Sequence, residues 1–275
     1  MTIKDESNSS EEVSKQHTRP LTKDLGESAA RIASSQRLHF IMHTRPNKPS
    51  FQIAVVVLLS LLPFPAIWLG MYVLKNVYWT FLLYHGFCLV PVIVWGKSLW
   101  RDSLSFPTGK QSVVLFFSSS VFVALALLLY QHFGNHILSS DRTFALLIEQ
   151  GYHQGIWLPM TVYFVCVNPI LEELYWRGVI LNRLNQLQQE QTEFGVIWSS
   201  ISYAAFHYLI LRLVLFPGWA EIGVLLLAFY GALMASIYRR TNSLIITALS
   251  HAFLTDLTAM VLLAALLARV HQSIL

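Results

Sequence analysis

The stretch FQIAVVVLLSLLPFPAIWLGMYVL, from Phe51 to Leu74, contains no Asp, Glu, Lys or Arg. An α-helix needs about 20 apolar residues to cross the hydrocarbon of a bilayer, so this run is long enough to span. Six similar runs follow: Val77 to Trp95, Ser112 to Tyr130, Ile156 to Leu171 continuing as a helix beyond, Phe194 to Phe216, Trp219 to Tyr238, and Leu244 to Ala268. In lipid each backbone polar group must find its partner inside its own segment or in a closed barrel, and no alternating strands of barrel length occur. The expected fold is all-α: a polytopic transmembrane helical bundle of about seven spans, within a range of six to eight.

Composition agrees. Of 275 residues, 55% are hydrophobic and 12% are charged, against about 25% charged in a soluble domain. The formal charge of +4 forms no basic stripe, so no nucleic-acid partner is expected. Residues 1–50 are polar and lack a short apolar signal core, and they read as a largely disordered cytoplasmic tail. Residues 51–275 form the transmembrane domain. Lys and Arg gather on one side of the spans (Arg37, Arg45, Lys48, Lys97, Arg101, Lys110, Arg183, Arg239, Arg240), with only Lys75, Arg142, Arg212 and Arg269 on the other. The positive-inside rule then puts the N-terminus in the cytoplasm, with the plasma membrane as the expected location. Trp79, Trp95, Trp157, Trp198 and Trp219 read as interfacial anchors. Cys88 and Cys166 lie within apolar runs and act as small hydrophobes.

Ionisable groups inside a span are costly and mark candidate sites. The fourth span carries Asn168, Pro169, Glu172, Glu173, Arg177 and Gly178. Glu173 and Arg177, four apart with the acid first, can pair on one helical face. Glu172 points about 100° away from Glu173 and has no such mate. An acid at a span end is ordinarily solvated, and an intramembrane histidine is ordinarily packing glue between helices. His207 in the fifth span and His251 in the seventh change that balance, because a bundle can bring one group from each of three helices to a point. The meeting place is expected to be a water-reachable hollow open toward the Lys/Arg-rich side. His132, His136 and His153 lie in a polar loop from Gln131 to Gly155 and read as solvated. Ser118, Ser119 and Ser120 are expected to bond back to the preceding turn.

In these residues the chain resembles the CPBP group, the CAAX-protease and bacteriocin-processing membrane proteins that include the type II CAAX prenyl endopeptidases. Glu172, Glu173 and Arg177 match a Glu-Glu-x-x-x-Arg motif, with Pro169 before it and Gly178 after. His207 matches the histidine of Phe-x-x-x-His, with Tyr203 in place of the phenylalanine. His251 matches a third motif, whose Asn or Asp follows four residues later; here Thr255 stands at that position and Asp256 one further. The CPBP-like core covers about 156–268.

The resemblance implies an intramembrane endopeptidase acting on a membrane-associated protein or peptide. Glu172 and His207 would activate water, and His251 would stabilise the oxyanion. Glu173, Arg177 and Tyr203 would support them. The amide that the family places after the third histidine would be replaced by Thr255, or by Asp256 if a helical bulge brings it in. No cofactor is required, although Glu172, His207 and His251 are also the donor types of a His₂Glu zinc site. Two readings outside the enzyme class stay open on the residues alone: a proton-linked transporter, and a non-catalytic membrane scaffold or immunity protein.

Overall fold

The computed structural model describes residues 49–188 and 193–274. The expected polar tail before residue 49 lies outside them. Among the described residues there is no named strand, and six helices are long and apolar enough to cross a membrane. They are α1 (Ser50–Val73), α2 (Val77–Trp95), α3 (Gly109–Ile137), α7 (Glu193–Val214), α8 (Trp219–Thr241) and α9 (Leu244–Val270). Between α3 and α7 lie α4 (Ser140–Glu149), α5 (Trp157–Cys166) and α6 (168–187). The chain is thus an all-α polytopic integral membrane protein.

The fourth expected span departs from a plain helix. The path from Ile156 onward breaks at Val167, between α5 and α6. Pro169 sits in the first turn of α6, where its missing N–H costs nothing, whereas in mid-helix its ring would clash with the preceding turn. The sequence therefore sets a helix start just upstream of Glu172.

The expected loop from Gln131 to Gly155 is also largely helical. α3 runs on to Ile137, and α4 follows after Ser139 accepts a hydrogen bond from the Arg142 backbone N–H at 3.3 Å. Asn76 caps the start of α2 by accepting from the N–H groups of Tyr78 and Trp79. Thr108 and Gln111 form a reciprocal capping box at the start of α3, and Ser243 caps α9 by accepting from Ile246. Each cap satisfies donors that a helix start leaves unpaired. Two of the three serines in α3 bond back as expected, Ser118 to the Leu115 carbonyl and Ser120 to that of Phe116. Ser119 is buried, and its hydroxyl has no partner among the described residues.

Cross-links separate the two ends of the bundle. At one end Asn182 donates to the Leu99 carbonyl and to the Tyr238 hydroxyl, Tyr238 donates to Ser103, and Arg183 donates to Gln52 at the start of α1. This end carries Lys97, Arg101, Arg183, Arg239 and Arg240. At the other end Lys75 pairs with Glu149 at 2.7 Å, Val77 N–H donates to the Gln150 carbonyl, and Phe216 N–H donates to that of Ile137. Among the described residues, the two groups of basic residues read from the sequence therefore lie at opposite ends.

The outside of the bundle is apolar. In the most apolar stretch of α3 only 6% is buried, and Phe116, Phe117, Leu125 and Leu129 stand exposed. On a soluble protein such a surface would be a large exposed apolar patch; here it faces lipid. Trp79 and Trp95 are exposed as interfacial anchors should be, whereas Trp198 turns inward and donates to Ser60 of α1 at 2.9 Å. The centre is packed with Trp176, Tyr203, Phe206, Leu89, Ile180 and Leu184, with Trp176 stacked on Phe206 at 6.0 Å.

α1 and α2 touch at Gly70, where a Cβ would lie 2.6 Å from the Thr80 Cα. That contact is with backbone and cannot relax by rotating a side chain. Gly70→Ala is expected to cost about 1–3 kcal/mol of stability, as overpacking does. Thermal unfolding in detergent checks this, and an unchanged midpoint would show that the two helices can part freely.

Candidate active site

Four π-helical segments interrupt the helices among the described residues: Leu69–Val73, Leu82–Leu89, Leu174–Leu181 and Ala252–Asp256. Such segments are rare and frequent at functional sites. Three of them carry a buried polar residue of a single cluster: His85, Arg177 and Asp256.

Glu172 and Glu173 are both buried at the end of the regular turn of α6, and they face different partners. Glu173 Oε1 accepts from Arg177 Nη1 at 2.8 Å and lies 3.1 Å from His251 Nδ1. Arg177 donates through Nη2 to the Gly231 carbonyl of α8 at 3.0 Å, and its guanidinium lies 5.1 Å from the centre of the Tyr203 ring. The expected Glu173–Arg177 pair is present, and it ties α6 to α7, α8 and α9.

Glu172 Oε1 accepts from the Tyr84 hydroxyl of α2 at 3.0 Å. Its other oxygen, Oε2, is buried without a hydrogen-bond partner among the described residues and lies 3.7 Å from His251 Nε2. A buried carboxylate oxygen left open in this way is costly, and it is where a water or a substrate group would gain most by binding.

The two histidines are oriented by opposite devices. His207 Nδ1 lies 2.7 Å from the Tyr203 carbonyl one turn back. A carbonyl only accepts, so Nδ1 carries the proton and Nε2 is left with its lone pair. His251 Nδ1, facing the Glu173 carboxylate, likewise carries a proton. Around His251 Nε2 stand the Tyr203 hydroxyl at 3.4 Å, Asp256 Oδ1 at 3.4 Å and Glu172 Oε2 at 3.7 Å.

Asp256 reaches this point because of the π segment Ala252–Asp256. A π turn brings residues five apart onto one face, as an α turn does for residues four apart. Asp256, five after His251, is therefore delivered to the imidazole. Thr255 turns its hydroxyl back to the His251 carbonyl at 2.7 Å. Of the two candidates for the family's amide position, Asp256 is the one beside His251 Nε2.

Tyr84, His85 and Asn168 also belong to the cluster, and the reading of the sequence did not single out their roles. His85 Nε2 lies 2.9 Å from Asn168 Oδ1, and Asn168 Nδ2 donates to Asp256 Oδ2 at 3.0 Å. His85 Nδ1 faces the Tyr163 hydroxyl at 2.7 Å. The signal for His85 was available, since it is an ionisable side chain within the second apolar run. Asn168 was visible only as the residue before Pro169. His132, His136 and His153 remain exposed and apart from the cluster.

Glu172, His207 and His251 line one cavity of about 530 Å³, together with Tyr84, Asn168, Tyr203, Thr255 and Asp256. The rest of its wall is mainly apolar, with Met71, Phe81, Phe164 and Leu227 among the lining residues. The hollow extends toward Thr143, Leu146, Leu147 and Gln150 around α4. It therefore runs toward the end with few Lys and Arg, opposite to the direction expected from the sequence. The reason is α4, whose apolar side chains form part of the wall where the sequence had suggested a solvated loop. Among the described residues no group of three or more His, Cys, Asp or Glu side chains is arranged to hold a metal ion.

No curated protein and no solved structure matches the chain. Residues 154–255, which carry Glu172, Glu173, Arg177, His207 and His251 and end one position short of Asp256, match the family model described as type II CAAX prenyl endopeptidase Rce1-like, a family of membrane proteases.

Proposed function

We propose that the chain is an intramembrane endopeptidase in which Glu172 and His207 activate a water molecule and His251 donates to the oxyanion. The observation that supports it most is the open, buried oxygen of Glu172, in a cavity shared with both histidines. Tyr84 holds the carboxylate by its other oxygen, so Oε2 stays directed at whatever occupies the cavity.

The steps balance without a covalent enzyme intermediate. Glu172, assisted by the lone pair on His207 Nε2, takes a proton from water as its oxygen attacks the scissile carbonyl. The carbonyl electrons move to oxygen, where a donor such as the His251 N–H stabilises them. When the tetrahedral intermediate collapses, the C–N bond breaks and the proton passes from Glu172 to the leaving nitrogen. Glu173 and Arg177 keep His251 in place. The apolar wall suits the apolar side chains of a membrane-associated protein or peptide. The chain enters α1 at the Lys/Arg-rich end, so the positive-inside rule supports a cytoplasmic N-terminus; the plasma membrane is the proposed location.

Comparing membrane-protein termini in cells carrying the wild type and Glu172→Gln tests this reading. At least one new terminus should be present in the wild type and missing from the variant, and identical sets would overturn the proposal. The mechanism uses no resident metal. Protein purified and washed with chelator should retain its full cleavage rate, and a loss restored by zinc would replace this mechanism with a metal-dependent one.

A further inference from the structure

A peptide carbonyl attacked by a water at Glu172 Oε2 develops its negative charge close to His251 Nε2, and electrostatic catalysis there requires hydrogen-bond donors. The surroundings of that nitrogen are poor in them. Glu172 and Asp256 are carboxylates, which accept when ionised. Asp256 is further fixed as an acceptor by a directed chain of hydrogen bonds. Tyr163 O–H donates to His85 Nδ1, His85 Nε2–H donates to Asn168 Oδ1, and Asn168 Nδ2–H donates to Asp256 Oδ2. The direction is set at the far end, because the Asn168 amide turns its NH₂ to the carboxylate and so presents its oxygen to His85. Thr255 spends its one proton on the His251 carbonyl.

Three phenols are left: the Tyr84 hydroxyl is engaged, donating to Glu172 Oε1 at 3.0 Å, and Tyr230, whose ring centre lies 6.1 Å from that of His251, is not among the residues lining the cavity. The Tyr203 hydroxyl has only the long 3.4 Å contact with His251 Nε2. It also lines the cavity and is 1% exposed. The Arg177 guanidinium over its ring and the ring's packing against Trp176 and Phe206 hold it in place.

We infer that Tyr203 is a catalytic residue, whose hydroxyl is the second donor to the oxyanion beside His251, in compensation for a carboxylate at Asp256 that cannot donate. The assignment rests on the endopeptidase reading above. A donated hydrogen bond made only in the transition state raises kcat and leaves substrate binding unchanged.

Tyr203→Phe removes the hydroxyl and keeps the ring, so packing survives. Its kcat should fall about 100-fold, in the range found for removing one oxyanion donor, while KM and the unfolding midpoint hold. Asp256→Asn should then compensate. Its amide oxygen can accept from Asn168 while its NH₂ replaces the oxygen beside His251, so Tyr203→Phe with Asp256→Asn should regain at least about tenfold in kcat over Tyr203→Phe alone, a fraction of one donor's effect. A fall of less than about tenfold in Tyr203→Phe, a change confined to KM, or no recovery in the double variant overturns the assignment. Glu172→Gln, run alongside, separates the two questions: if it cleaves normally the endopeptidase reading fails, and if it is inactive while Tyr203→Phe is normal only the donor role fails.

Discussion

Glu172→Gln should lower the cleavage rate of the purified protein by about 10³-fold or more, the upper part of the range for loss of a general base. The substitution keeps the shape of the side chain and the oxygen that accepts from Tyr84 at 3.0 Å. What it removes is the proton acceptor at Oε2, the position with no protein partner among the described residues. The fold should survive, because a neutral amide is less costly to bury than a carboxylate. The decisive measurement pairs a single-turnover rate on a membrane-embedded reporter peptide with a thermal unfolding curve in the same detergent. An inactive variant with an unchanged midpoint fits the proposed role. A variant active at the wild-type rate rejects Glu172 as the base.

The second large effect is on stability. Arg177→Met leaves the Glu173 carboxylate buried, with His251 Nδ1 as its remaining close partner. Breaking a buried ion pair by removing one member typically costs about 3–5 kcal/mol, because the remaining charge is stranded. The substitution also frees the Gly231 carbonyl from its donor and so loosens α6 from α8. Replacing both members, Glu173→Gln with Arg177→Met, should recover most of the loss, since the stranded charge disappears and the Gln oxygen can still accept from His251. Equilibrium unfolding of the single and double variants gives the comparison. A double variant no more stable than Arg177→Met would mean that the pair acts through packing of the arginine stem rather than through its charge.

Which parts of this were legible beforehand follows from what each part depends on. The spans depend on solvent alone: a stretch such as Phe51 to Leu74 has no other stable environment than lipid, whatever its neighbours. Glu172, His207 and His251 were legible for a related reason, since an ionisable group in a span needs company. Tyr84 and Asn168 were not, because their roles depend on how α2 is rotated against α6, and a 3.6-residue period fixes which residues share a face but not which faces meet. α4 escaped because ten residues between two spans are too short to stand out by length. Its amphipathic pattern is what builds the wall of the cavity, and reading it as loop reversed the direction in which the hollow was expected to extend.

The wide turn at Ala252–Asp256 has one more consequence. An extra residue placed in a regular helix rotates everything after it by about 100°, which would swing the rest of α9 off the neighbours it packs against. A wide turn takes up that residue on the spot and returns the helix to its former phase. With the wide turn in place, the far half of α9 keeps the phase that packs Leu266 and Val270 with Tyr130. Deleting Thr255 should place Asp256 four after His251, close the turn to ordinary α geometry and leave the far half of the helix where it is.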